Sequence, residues 1–207
     1  MRSSNQPATA AATTAEIALF PLNAVLFPGG PLPLRIFEPR YVDMVRRCMR
    51  ERTAFGVVQI LSGAEAGGEV QSTAAIGTTA RIADFYPLPD GLLGIYCIGE
   101  RKFRVLRRWR TDDGLNLGEV QLLVPEPAMD LPGEYLHLGA LMRRVLPELG
   151  ELYEGVEKHA HDAAWVGYRL AEILPVSLSD KQHWLELDDP VERLARLSPL
   201  IRRDAAE

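Results

Sequence analysis

IALFPLNAVLFPGGPLPLRIFEPRY, residues 17–41, is the stretch of the sequence that decides the fold. Its apolar runs at residues 17–20 and 32–37 are short and bounded by proline and glycine, as is typical of strands. The segment FPGGP, residues 27–31, predicts a turn between them, because glycine and proline both interrupt regular structure. Pro39 then predicts the start of a helix, since the first helical position needs no N–H donor.

The helix predicted after Pro39 is amphipathic. Apolar residues recur at helical spacing through this segment, while its arginines fall on the other side. The residues of the apolar face are Tyr41, Met44, Val45, Cys48 and Met49. We therefore expect one helix to be inserted between strands.

The chain up to about residue 124 otherwise predicts β-structure. Residues 54–61 form a strand rich in β-branched side chains, and residues 62–72 form a glycine-rich loop. Strands at 73–86 and 92–98 flank the turn PLPDG, where Asp-Gly tolerates a positive φ. A second hairpin joins strands at 103–109 and 117–124 through the turn DDG.

The sequence pattern changes from that of strands to that of helices after Pro125-Glu126-Pro127. Apolar residues at helical spacing predict helices over residues 136–146 and 166–174. Ser179 is predicted to cap a further helix, with Gln182 completing a capping box. Asp189 and Pro190 start another. The sequence predicts an α+β fold with a disordered tail at 1–15, a β-rich part at 16–127 and a helical bundle at 128–207.

Composition limits the classes of function. The 207 residues are 47% hydrophobic and carry a net charge of −5, which gives no overall attraction to nucleic acid or anionic membrane. Two cysteines, Cys48 and Cys97, are too few for a disulfide scaffold or a cysteine-based zinc site, so we expect free thiols. No apolar run has the roughly 20 residues needed to span a bilayer, and no signal peptide is evident. We therefore expect a cytoplasmic protein.

Four ordered stretches carry a resemblance to a known family. The turns Phe20-Pro21-Leu22 and Phe27-Pro28-Gly29, together with LRIFEPRY at 34–41, resemble the opening of the Lon protease N-terminal, substrate-binding domain. Residues 76–105 and 165–197 are similar to later parts of the same domain. The form LRIFEPRY is most similar to the stand-alone bacterial members of this family. The resemblance implies a PUA-like, partly open β-barrel (a pseudobarrel) with one inserted helix, followed by a helical bundle.

Catalytic motifs are not predicted. The segment 94–101 approaches a phosphate-binding loop, but Glu100 stands where lysine is needed. Ser177 and Ser179 lie near Lys181, yet their place at a helix start predicts capping and not a Ser-Lys nucleophile. We expect no enzyme and no cofactor.

A metal site is not predicted either. His159, His161 and Asp162 are close in sequence, but a two-residue spacing directs helical side chains to different faces.

A protein-binding groove is the leading prediction for a site, because unfolded partners offer apolar side chains and free backbone. Most aromatics of the motif region are expected in the core, and some to line a groove between barrel and bundle. Arg35, Glu38 and Arg40 lie at a strand-to-helix junction, where they form ion pairs or contact a ligand. The candidates are Phe20, Leu22, Phe27, Arg35, Phe37, Arg40, Tyr41, Phe85 and Tyr86.

The densest basic run gives the alternative, an RNA-binding face. On a strand, alternate residues share one face, which here would carry Lys102, Arg104, Arg108 and Arg110. Such a face tracks a phosphate backbone. The same pattern fits a half-buried strand with a solvated basic face, and the acidic last third, with 9 basic and 15 acidic side chains over residues 130–207, disfavours nucleic acid.

We therefore predict a non-catalytic protein- or peptide-binding module, an adaptor or regulator in protein quality control. The expected partners are unfolded or flexible protein segments, with a separate protease or chaperone as a further candidate. The sequence leaves the oligomeric state open.

Overall fold

The computed structural model describes residues 13–65 and 70–204. Seven strands come first, with one helix among them, and four helices follow. The strands are β1 (Thr14–Leu22), β2 (Pro31–Ile36), β3 (Phe55–Gly63), β4 (Val70–Thr73), β5 (Ile76–Pro87), β6 (Leu93–Arg110) and β7 (Asn116–Leu122). The helices are α1 (Pro39–Glu51), α2 (Leu136–Val145), α3 (Ala163–Ile173), α4 (Leu178–Glu186) and α5 (Pro190–Asp204), with 3-10 segments at Gly133–Tyr135 and Leu146–Tyr153.

The sheet curls into a partly closed pseudobarrel. β1 pairs with β7 in antiparallel and with β3 in parallel, while β7, β6, β5 and β3 follow one another in antiparallel. β2 and β4 lie off this ring: β2 pairs with the first half of β6, and β4 pairs with β3. The α+β class and the partly open barrel with one inserted helix are therefore confirmed.

β6 departs from the sequence prediction. The strands expected at 92–98 and 103–109 are one continuous strand, which pairs first with β2 and β5 and then with β5 and β7. Gly99 lies between the half of β6 that pairs with β2 and the half that pairs with β7. Its N–H donates to the carbonyl of Gly30 at 2.9 Å, and its carbonyl accepts from Gly29 N–H at 2.7 Å. The predicted FPGGP turn thus supplies the pairing that keeps β6 extended.

Two further boundaries differ from the prediction. The expected loop at 62–72 begins as strand, because β3 continues to Gly63 and pairs there with β4. β1 starts at Thr14, so the end of the predicted tail pairs with β7, while residues 1–12 lie outside the described residues.

Helix α1 packs on one face of the sheet. The other face has a separate core, which is formed by Leu19, Val58, Phe103 and Val120. The buried side chains of α1 pack on strands β1, β2, β5 and β6, with the ring of Tyr41 stacked 4.0 Å from that of Phe20. Cys48 and Cys97 are free and buried in this core, as expected of structural thiols. Burial raises the pKa of the Cys97 thiol to about 12, which makes the thiolate scarce at neutral pH.

The caps of the last helices match the sequence in part. Asp189 accepts from Val191 N–H at 2.8 Å and starts α5 as predicted. The predicted Ser179 cap of α4 is wrong, because Ser177 accepts from Asp180 N–H at 3.1 Å and the helix begins two residues earlier. Gln182 instead donates to the carbonyl of Ile76 at 3.0 Å, which ties α4 to the sheet.

The FPGGP turn joins the sheet to α3. Arg169 of α3 is fully buried and donates from Nη2 to the carbonyl of Pro28 at 2.9 Å. Its Nε lies 3.1 Å from the carboxylate of Glu172, which also accepts from Tyr153. Burial raises the pKa of the Glu172 carboxyl, and Arg169 opposes that rise. Gly29 adopts φ +70°, a conformation that glycine reaches without strain.

A buried carboxylate makes the second connection. Glu126 lies between the sheet and the helices and accepts from Lys102 of β6 at 3.1 Å, from the Tyr168 hydroxyl of α3 and from Arg193 of α5 at 2.6 and 3.0 Å. Lys102 donates further to Asp188 at 2.9 Å. The side chains of Lys102 and Arg193 are almost fully buried. We call Glu126, Lys102, Tyr168 and Arg193 the Glu126 network.

A methyl group on Gly30 tests the docking of the turn. It would overlap the Glu172 carboxylate and lie 2.9 Å from Nη2 of Arg169. We expect Gly30→Ala to lower the free energy of unfolding by about 1–3 kcal/mol, the usual cost of overpacking. The control is Gly133→Ala, whose added methyl group meets nothing within 4 Å. Urea denaturation compares the two variants, and equal midpoints would contradict the tight docking.

Removal of Lys102 tests the Glu126 network. We expect Lys102→Met to lower the free energy of unfolding by about 3 kcal/mol, because it breaks a buried ion pair. Arg104→Met, on the same strand but exposed, is expected to change it by less than about 0.5 kcal/mol. Chemical denaturation of both variants measures the difference. A Lys102 variant as stable as the Arg104 variant would show that the buried amine contributes nothing.

Candidate functional site

The nine residues predicted for a groove lie in three different places. Phe20, Leu22, Phe27 and Tyr41 are buried, with at most 7% of each residue exposed. Phe27 packs in the helical core, its ring 5.8 Å from that of Tyr168. It therefore lies in a different core from Phe20, Leu22 and Tyr41.

Five of the nine line one cavity where β2 leads into α1. This junction cavity has a volume of about 370 Å³. Its floor is apolar, and Phe37 at its side is 53% exposed. The predicted residues that line it are Phe20, Leu22, Arg35, Phe37 and Tyr41. The structure thus brings together three of the six predicted aromatics, Phe20, Phe37 and Tyr41, but at the end of β2 and not between barrel and bundle.

Sequence reasoning missed three residues of β2 that line the junction cavity. They are Pro33, Leu34 and Ile36. The signal was available for two of them, because Leu34 and Ile36 alternate with Arg35 and so lie on the apolar face of the strand.

Ion pairs occupy the charged residues of the junction. Arg35 pairs with Asp90 across the sheet, and Arg40 lies 2.6 Å from the carboxylate of Glu38. Arg40 also donates to the carbonyl of Gly114 at 2.9 Å, which ties the start of α1 to the turn after β6. Of the two roles considered for these residues, ion pairing and ligand contact, the structure shows ion pairing. Arg40 also positions α1 beside the cavity.

Phe85 and Tyr86 lie at the end of β5, apart from the junction cavity. Tyr86 is 39% exposed and its ring covers Gly94 of the neighbouring strand. Phe85 is 57% exposed and lines a cavity of about 500 Å³ beside the end of α1. Its neighbours there include Met49, which is also exposed.

The predicted basic face does not form. Lys102 is buried in the Glu126 network, and Arg108 donates to the carbonyls of Val70 and Gln71. A bulge between residues 105 and 107 also breaks the alternation that would place the cations on one side. Arg104 is exposed, and Arg110 donates to the carbonyl of Gly114. The prediction of four cations on one face is therefore wrong.

A groove of about 390 Å³ does lie between barrel and bundle, but none of the nine predicted residues lines it. Polar groups in its wall are engaged within the protein. Trp165 donates from Nε1 to the carbonyl of Glu157 at 2.8 Å, and Tyr168 donates to Glu126. Burial raises the pKa of the Tyr168 phenol, which keeps it a donor.

The side chains considered for metal binding or catalysis make structural contacts. His159 contacts Glu157 at 3.1 Å, and residues 13–65 and 70–204 contain no cluster of metal-binding side chains. Ser177 caps α4, and Lys181 donates to the carbonyl of Glu172 at 2.8 Å. No helix in the described part of the chain is long and apolar enough to cross a membrane.

Solved structures share this fold. The crystal structure of a Lon N-terminal domain protein from Xanthomonas campestris superposes with a TM-score of 0.74 and is 39% identical in sequence. The match covers 89% of this chain and 98% of that one.

Curated relatives are longer than this chain. The Lon protease of Cytophaga hutchinsonii is 24% identical over 188 residues, which are 88% of this chain and 23% of the protease. Protein cereblon of Xenopus tropicalis is 27% identical over 187 residues, which are 86% of this chain and 40% of cereblon. The chain thus spans less than half the length of either relative.

The family model described as the ATP-dependent protease La (LON) substrate-binding domain matches residues 16–203. This range holds both the pseudobarrel and the helices, together with the FPGGP turn and the Glu126 network that connect them. The chain therefore belongs to the LON substrate-binding domain family.

Proposed function

We propose that the protein is a substrate-recognition module that binds exposed apolar segments of other proteins and performs no catalysis. The observation that carries this proposal is the junction cavity, where an apolar floor opens to solvent beside the half-exposed ring of Phe37. Its volume of about 370 Å³ lies within the range of small binding pockets. Family membership supports the same function, since the family is named for substrate binding.

The physical basis of recognition is apolar contact. Of the charged residues that line the junction cavity, Arg35 pairs with Asp90 and Glu38 with Arg40. Glu65 accepts from the backbone N–H of Asn23, so the apolar floor is the main feature offered to a ligand. An apolar side chain that enters the cavity leaves water and covers Phe37, and burial of such a side chain contributes roughly 1.5–3 kcal/mol. Single contacts of this size give weak binding, which suits a module that samples many partners.

The proposed biological role follows from this mode of binding. We place the protein in the cytoplasm as an adaptor or regulator of protein quality control. Unfolded or flexible protein segments are its partners. A separate protease or chaperone would act on what it holds.

Phe37→Ser tests the proposed site. We expect the variant to bind a reduced, carboxymethylated model protein about tenfold more weakly, because it loses part of the apolar contact. Fluorescence anisotropy with the labelled model protein measures the dissociation constant. The matched control is Leu61→Ser, since Leu61 is exposed to a similar degree, 60% against 53% for Phe37, but lies on β3 outside the cavity.

Two results would count against the proposal. Equal affinities of Phe37→Ser and Leu61→Ser would show that the junction cavity is not the binding site. A wild-type protein that ignores the unfolded model protein but binds RNA tightly would overturn the function itself.

A further inference from the structure

The edges of the sheet differ in how far they are protected. An edge strand presents unpaired N–H and C=O groups to which another chain can pair. β2 contains Pro31 and Pro33, which lack the N–H groups that an added strand needs. On β4, two carbonyls already accept hydrogen bonds from Arg108. Both strands are therefore poor templates for a further strand.

The end of β5 has an edge without a neighbouring strand. β3 pairs with β5 only at residues 78–80, although β5 continues to Pro87. From residue 82 to residue 87, β5 pairs with β6 on one side and with no strand of the described residues on the other. We call residues 82–86 the open edge, since Pro87 has no N–H to offer to an added strand.

A cavity of about 500 Å³ runs beside the open edge. It is lined by residues 81–85 of β5 and by residues at the end of α1 and just after it, so that it offers space for a chain next to the strand. Phe85 on β5 and Met49 on α1 line it, and both are more than 40% exposed. A segment lying there would gain backbone pairing on one side and apolar contact on the other.

Charge contributes little along the open edge. Arg81 is paired with Glu100 at 2.9 Å, which leaves Arg52 and Asp84 as one cation and one anion in the lining. Selection there would rest on backbone geometry and apolar side chains. An extended apolar segment fits these features better than a charged peptide.

The carboxylate of Asp84 occupies the position that the carbonyl of an added strand would take at the open edge. It accepts from the backbone N–H of Phe85 at 2.7 Å, so this donor is not engaged with β6. Asp84 is exposed, and its side chain can turn into water when the carbonyl of a partner replaces it. A local side-chain bond of this kind competes with pairing between strands.

We propose that the open edge accepts an extended, apolar segment of an unfolded protein as an added β-strand. Strand addition is a known mode of peptide recognition, in which backbone hydrogen bonds give affinity and alternate side chains give specificity. This inference rests on the proposed function for the nature of the partner. It adds a second contact surface and a mode of binding that does not involve the junction cavity.

Backbone methylation of a peptide tests the mode of binding. The probe is a short fluorescein-labelled peptide in which valine and threonine alternate. Alternate N–H groups of a strand point to opposite edges, so N-methylation of one alternate set removes the bonds to β5 while the other set faces solvent. We expect one methylated peptide to bind about tenfold more weakly than the other in fluorescence anisotropy. Equal affinities of the two would overturn the proposal.

Asp84→Ala tests the location. Because the variant frees the N–H of Phe85, we expect it to bind the unmethylated peptide about two- to tenfold more tightly. Asp43→Ala removes an aspartate of α1 that is also exposed, and it is expected to leave the affinity unchanged. An unchanged affinity of Asp84→Ala would show that β5 does not receive the strand.

The two proposals fail in different ways. If the wild-type protein does not bind the unfolded model protein, the proposed function fails. If it does bind and only Phe37→Ser weakens the complex, while the methylated peptides bind equally, strand addition alone fails.

Discussion

The carboxylate of Glu126 holds helices α3 and α5 against strand β6. It lies where the polypeptide leaves the sheet, between two prolines that restrict the backbone. A carboxylate removed from water is costly unless its partners are close and well oriented. Here the partners come from one strand and two helices, namely Lys102, Tyr168 and Arg193. Only a placement of the helices that brings these groups together satisfies the charge, so the Glu126 network favours one packing over others that would bury similar apolar area.

The two surfaces proposed for partners lie away from the Glu126 network. The polar groups of Lys102, Tyr168 and Arg193 bond to Glu126 between barrel and bundle. Ile98 of β6 packs against the helical core. The junction cavity and the open edge lie instead beside α1, and no residue of helices α2 to α5 lines the junction cavity or the cavity beside the open edge. The connection between barrel and bundle is thus buried and hydrogen-bonded, while exposed apolar side chains such as Phe37 and Phe85 lie elsewhere. The basic run illustrates the same division, because Lys102 belongs to the connection and Arg104 to the surface.

Much of the fold could be predicted from local signals, and the remainder depends on contacts between distant residues. Pro39 and the spacing that follows it indicated α1 correctly, and Asp189 indicated the start of α5. The continuity of β6 could not be predicted, because Gly99 stays extended through bonds to a turn about seventy residues earlier in the chain. Ser179 failed as a cap for a related reason. Gln182 bonds to the sheet and not back to the helix start, and the local pattern carries no trace of that contact.

The candidate site shows why aromatic residues alone were a weak guide. Phe20 and Phe37 occur in the same motif region, yet Phe20 is buried under α1 and Phe37 is half exposed. The difference arises because Phe20 lies within a strand covered by the helix, whereas Phe37 follows the last residue of β2, where the chain turns away from the sheet. An aromatic side chain at such an exit gains little from core packing. Its exposure costs the folded protein stability, and a bound apolar group would offset that cost. In the proposed function, recognition therefore takes place at strand ends and not at strand centres.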